Sequence, residues 1–141
     1  MSFVRIWVHV VFSTRNREPY FSSELRSKLF EHIRENCRSK DIYLDCIGGW
    51  SDHIHLLLSL GREQNIAKLM ILLKGESAHW LNKEGFFKGK FFWQDDYYAI
   101  SVSESQLDRV RAYISGQEEH HRAVPFEKEL DTLRRITGSL G

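Results

Sequence analysis

The sequence predicts an α+β fold of the ferredoxin-like kind: a βαββαβ chain forming an antiparallel sheet, with an added C-terminal helix. Three observations carry this expectation. Strand-like and helix-like periodicities follow one another in the order β-α-β-β-α-β-α. The second and third strand patterns, 42–47 and 53–60, are joined only by Gly48-Gly49-Trp50-Ser51-Asp52, a connection that makes a hairpin. Finally, 141 residues with 42% hydrophobic side chains supply one core and no second one. The expected organisation is one domain over 1–141, with helices on one face of the sheet and the other face open for a partner or ligand. Residues 125–141, beginning at Pro125, read as a charged peripheral tail.

Each element has a local reason. Val4 to Phe12 is rich in β-branched and aromatic residues, with Val4, Ile6, Val8, Val10 and Phe12 on one face, as in a buried first strand. The polar run Ser13–Pro19 ends it. Ser22 or Ser23 can cap a helix whose stripe is Leu25, Leu29, Phe30, Ile33 and Cys37 and which stops near Lys40. After the hairpin, Ile66, Leu69, Met70, Leu73, Trp80 and Leu81 recur at helical spacing across Asn65–Leu81, despite Gly75. A loop over 83–92 leads to a fourth strand, Tyr97–Val102. Ser103-Glu104-Ser105-Gln106 then has a capping-box pattern, opening a third helix to about His121.

Composition excludes several classes. No apolar stretch approaches the ~20 residues that span a bilayer, and no signal-peptide succession opens the chain, so a cytoplasmic protein with no membrane partner is expected. Cys37 and Cys46 are too few for a disulfide framework or zinc ribbon and read as two half-buried thiols. A net charge of +1 neither advertises nor excludes a nucleic-acid partner; any site for a polyanion must be local.

On the third strand, the period of two sets His53 and His55 on the face opposite Ile54, Leu56, Leu58 and Leu60. Two neighbouring imidazoles can chelate a divalent cation, which beside a phosphate polarises it for attack; a polar pair on a half-exposed strand is the plainer alternative. On the third helix, Tyr113 and Gln117 lie one turn apart, offset from the buried stripe of Leu107, Val110 and Ile114. A packed surface tyrosine is the default reading, although a phenolate near a cation is a competent nucleophile at phosphorus and an amide oxygen a hard ligand. His120 and His121 read as a solvated pair at the helix end, and His9 as structural. Asp52 serves equally as a turn residue or as an acceptor orienting an imidazole. Arg15, Arg17, Lys83, Lys88 and Lys90, interleaved with Phe86, Phe87, Phe91, Phe92 and Trp93, suit single-stranded nucleic acid; surface lysines over core aromatics suit the pattern equally.

Asp52-His53-Ile54-His55-Leu56-Leu57, followed by Tyr113-Ile114-Ser115-Gly116-Gln117, resembles the single-tyrosine HUH transposases, the insertion-sequence-200-like family that includes the REP-associated tyrosine transposases. Val8–Pro19, Leu73-Lys74-Gly75, and the segment from Trp93-Gln94 to Ser103 resemble further blocks of the family, so the similarity spans nearly the whole chain. The chain departs from the family at Asp96 and Tyr98, where members commonly carry glycines. The resemblance implies a transposase that cuts and rejoins single-stranded DNA at hairpin-bearing element ends. Tyr113 would be the nucleophile, forming a 5′-phosphotyrosine; His53, His55 and Gln117 would bind Mg²⁺ or Mn²⁺. DNA contacts are expected from Arg15, Arg17, Lys74, Lys88 and Lys90. It also implies a homodimer, with active sites able to combine the histidines of one chain and the tyrosine helix of the other. Two rivals share the sequence: a sheet that binds nucleic acid without chemistry, for which an RRM-type aromatic signature is lacking, and a domesticated relative that binds hairpins without transposing.

Overall fold

The computed structural model describes residues 2–117; the expected helix extension to His121, the pair His120 and His121, and the 125–141 tail lie outside them. Four strands form one antiparallel sheet in the order β2-β3-β1-β4: β1 (Ile6–Ser13), β2 (Tyr43–Gly49), β3 (His53–Leu60) and β4 (Tyr98–Val102). Helix α1 (Ser23–Ser39) links β1 to β2, and α2 (Ile66–Glu84) links β3 to β4. This is the expected ferredoxin-like βαββαβ arrangement.

The two connecting helices form where the sequence stops and starts them. The Ser22 hydroxyl accepts the Leu25 N–H at the start of α1, and the Asn65 side chain accepts the Lys68 N–H at the start of α2. Gly85, at φ 70, ends α2 in the left-handed region that glycine enters without strain. Leu25, Leu29, Ile33 and Cys37 from α1 and Leu69, Met70, Leu73 and Leu81 from α2 bury against Val8, Val10, Phe12, Ile54, Leu56 and Leu58. The even-numbered side chains of β1 and β3 thus make one apolar core. Val4 and Ile6, expected in the first strand's buried face, are 36% and 50% exposed. The partner strand ends at Leu60, opposite Ile6, so among the described residues the β1–β3 ladder does not extend to the chain before it.

The other face differs from the expectation of an open surface. A third helix, α3 (Leu107–Ser115), crosses back over it and buries Leu107, Val110 and Ile114 against Trp7, Leu57 and Val102. The capping box before it does not form: residues 104–106 make a 3-10 turn, in which the Ser103 hydroxyl meets that of Ser105 at 3.1 Å and the Gln106 N–H bonds back to the Ser103 carbonyl at 3.0 Å. Gly48 and Gly49, expected in a turn, belong to β2 and pair with His55 and Ile54.

That shift explains how α3 comes so close. A Cβ on Gly48 would lie 2.1 Å from the Ile114 carbonyl oxygen, so only glycine lets the helix backbone settle on the strand. A second anchor stands one bulge away. Asp45, at the register shift of β2, accepts two hydrogen bonds from Arg111, from Nε at 2.8 Å and Nη2 at 2.9 Å. Both anchors sit within two residues of Tyr113.

Candidate active site under the third helix

The strand register sets out the polar residues. His55 faces Val11 across the β1–β3 ladder, His9 faces Leu57, and odd-numbered side chains of both strands point toward α3. His9, His53 and His55 are all completely buried there, rather than half-exposed. Burying three imidazoles is costly unless each finds a polar partner, and the structure supplies them.

His53 has a polar neighbour at each ring nitrogen. Nδ1 lies 2.7 Å from Asp52 Oδ1, and Nε2 lies 3.3 Å from Gln117 Oε1. The Gln117 amide nitrogen donates to the Tyr113 carbonyl at 3.1 Å, which fixes the amide so that its oxygen faces the imidazole. With the Nδ1 proton directed at the Asp52 carboxylate, Nε2 and Oε1 present lone pairs to each other. Two such donors fit neighbouring positions on a small divalent cation, whose bonds of about 2.1 Å at right angles would set them roughly 3 Å apart. His55 completes the strand side: its ring centroid is 5.1 Å from that of His53. Its Nδ1 meets His9 Nε2 at 3.0 Å, so a cation on His55 would be taken by Nε2. Among the described residues no group of three or more His, Cys, Asp or Glu side chains is placed to hold a metal, so a cation at this place would need the Gln117 amide beside the two histidines.

Tyr113, half-buried on α3, stands edge-on to His55 with ring centroids 5.6 Å apart and to His9 at 6.1 Å. The tyrosine, both histidines of the third strand and the glutamine are thereby gathered in one place within a single chain. His9 is the residue that sequence reasoning set aside. Its parity matched Trp7 and Val11, but only the pairing of β1 with β3 puts it against His55.

The predicted basic residues divide into three groups. Arg15 and Lys90 flank the exposed ring of Phe92, at 4.1 Å and 5.2 Å from its centroid, a cationic and aromatic shelf beyond the end of β1. Arg17 and Lys88 are exposed in their loops. Lys74 is engaged within the protein: its ammonium donates to the carbonyls of Gln94, Asp95 and Asp96 at 2.6, 2.8 and 3.4 Å, clamping the loop before β4. Desolvation lowers its pKa, opposed by the charges of Asp95 and Asp96. Burial pushes the Cys37 thiol up to about 11 and the Cys46 thiol to about 12, as inert thiols require. No helix among the described residues is long and apolar enough to cross a membrane.

Comparison with known proteins bears on the fold and the family. The chain is 26% identical over 115 residues to the ISDra2 transposase TnpA of Deinococcus radiodurans, covering 77% of this chain and 81% of that protein. Its fold matches the crystal structure of a putative transposase from Deinococcus radiodurans R1 with TM-score 0.65 and 22% identity, over 82% of this chain and 93% of the other. It also matches a REP-associated tyrosine transposase bound to a REP hairpin, with TM-score 0.66 and 13% identity, over 88% and 73% of the two chains. The sequence profile of the IS200-like transposases matches residues 2–117, and the chain belongs to that family.

Proposed function

We propose that this transposase cuts and rejoins single-stranded DNA at hairpin-bearing ends, with Tyr113 as the nucleophile. The observation that carries the reading is the approach of the Tyr113 ring on α3 to His55, together with that of Gln117, just past the end of α3 at Ser115, to His53. A phosphoryl transfer of this kind needs an oxygen nucleophile held in line and positive charge on the non-bridging oxygens. Tyr113 supplies the first. His53, His55 and Gln117 would hold Mg²⁺ or Mn²⁺, which when bound supplies the second.

The remaining residues position these groups. Asp52 fixes the His53 tautomer and ring, and His9 does the same for His55. Gly48 and the Asp45–Arg111 pair hold the helix on the strand, so that the phenol has a defined approach. Attack by the Tyr113 oxygen would break the bond from phosphorus to the 3′-oxygen, leaving the 5′-phosphate on the tyrosine and a 3′-hydroxyl on the departing strand. The bond energy is kept in the phosphotyrosine, so rejoining needs no nucleotide cofactor. A homodimer belongs to the same reading. Arg15, Arg17, Lys88 and Lys90 would contact the DNA backbone, with Lys74 acting through the loop that it clamps.

The test incubates the full chain with Mn²⁺ and labelled single-stranded hairpin DNA and looks for a covalent adduct on a denaturing gel. Wild type is expected to give one, and Tyr113→Phe none at unchanged DNA affinity. Tight DNA binding by wild type with no adduct on any hairpin would instead support a relative that binds without transposing.

A further inference from the structure

Beside Val11, against which Tyr113 packs, the described surface contains a cleft of roughly 590 Å³. Its floor is Val11 and Tyr98, adjacent across the β1–β4 ladder, and Tyr113 packs against the same small cluster of Val11, Ile100 and Tyr98. Val11 also faces His55 across the β1–β3 ladder, so the cleft lies one strand away from the candidate active site.

Its walls are polar and braced. Asn16 and Arg17 form one rim in consecutive left-handed conformations, φ 57 and φ 55, a strained pairing for side-chain-bearing residues of which only Asn tolerates the region well. The Asn16 N–H donates to Gln94 Oε1 at 3.3 Å across the cleft mouth. Gln94, Tyr97 and Tyr98 line the opposite wall, and the Lys74 clamp on the carbonyls of Gln94 to Asp96 fixes that wall from behind. The result is a preformed slot with two carboxamides, a half-exposed tyrosine ring, and one charge of each sign, Arg17 and Asp96, among its lining residues.

Carboxamides match the hydrogen-bonding edges of bases, and aromatic rings stack on their faces. A paired base has its faces stacked within its own duplex, out of reach of the Tyr97 ring, and its Watson–Crick edge occupied, so the slot suits an unpaired one. Resting on the reading of Tyr113 as a nucleophile toward DNA, we propose that this cleft seats one unpaired base of the strand next to the phosphate offered to Tyr113. Asn16, Gln94 and Tyr97 then determine which base is accepted.

The test measures binding of the full chain, with Mn²⁺, to single-stranded homopolymers of dA, dC and dT about twelve nucleotides long and to an abasic strand of equal length. Wild type is expected to bind the preferred homopolymer about tenfold tighter than the abasic strand and to rank the three unequally. In the double variant Asn16→Gly with Tyr97→Ala, both the tenfold advantage and the ranking should vanish while abasic binding is unchanged. Asn16→Gly retains the left-handed turn; if the pair nevertheless fails to fold, Gln94→Ala at an exposed position replaces it, with loss of the ranking expected. Equal binding of base-bearing and abasic strands by wild type, or a ranking that survives in the variants, overturns the proposal. The two readings fail separately. An absent Tyr113 adduct with the ranking intact defeats the nucleophile and leaves the base slot, whereas an adduct with no base preference does the reverse.

Discussion

The two faces of the sheet are built from the same strands and do opposite work. Toward α1 and α2, the even-numbered residues of β1 and β3 are aliphatic or aromatic and close a core with no chemistry in it. Toward α3, the odd-numbered residues alternate between apolar anchors such as Trp7 and Leu57 and the buried imidazoles of His9, His53 and His55. One face obtains its stability from burial alone. The other accepts desolvated polar groups, which need hydrogen bonds and a covering helix to be tolerated. Substitutions should therefore separate cleanly: on the first face they cost stability, on the second they cost chemistry.

The largest expected effect is on the second face. His53→Ala removes the imidazole between Asp52 and Gln117 and should abolish metal-dependent adduct formation, with the folded structure retained by circular dichroism. An adduct that still responds to Mn²⁺ would place the chemistry elsewhere. On the first face, Leu56→Ala should destabilise the protein by about 2–5 kcal/mol in denaturant melts. Adduct yield per folded molecule should stay at the wild-type level; a parallel loss of yield would show that the faces are coupled.

Gly48→Ala tests the boundary between them. The added methyl collides with the Ile114 carbonyl oxygen, so α3 must lift, and a displacement on the order of 1 Å costs as much as about 100-fold in rate. Stability should fall by only ~1–3 kcal/mol, as for other overpacked sites. A rate unchanged by the substitution would mean that α3 need not sit where it is seen.

The smallest effect concerns the thiols. With Cys37 and Cys46 pushed up to about 11 and about 12, both should resist iodoacetamide at pH 8 in the native protein and react on unfolding. Their folded values exceed the unfolded ones, so the folded state holds these protons more tightly. The stability they contribute is full below the unfolded thiol range near 9 and is lost as pH rises through 11 to 12. Alkaline melts that show no decline above pH 9 would contradict this.

Much of this was readable from residue order, because strand parity is a local property. Ile54, Leu56 and Leu58 against His53 and His55 told which side of β3 was core, a cap at Ser22 or Ser23 placed the first connecting helix, and apolar spacing from Asn65 onward placed the second. The surface on which α3 lands was not readable. Leu107, Val110 and Ile114 show that the helix has a buried stripe, but a stripe does not name the surface that it covers. The expected open face followed from that gap. The glycine pair at 48–49 was a usable signal read the other way: glycines can mark a turn or a strand that another backbone must approach. His9 needed the register of β1 on β3, a long-range fact. The Asp45–Arg111 fork spans 66 residues and carries no sequence motif.

In the proposed mechanism β3 and the residue just past α3 contribute to one cation site, with the phenol of α3 beside it. Calorimetric titration of Mn²⁺ into wild type and Gln117→Ala addresses this most directly, since Gln117 is the proposed ligand that comes from outside β3. One Mn²⁺ per chain in wild type, bound at least tenfold more weakly by Gln117→Ala, is the predicted result. Identical Mn²⁺ affinity in the two proteins would contradict it, leaving the histidines and the tyrosine helix as neighbours without a shared ion.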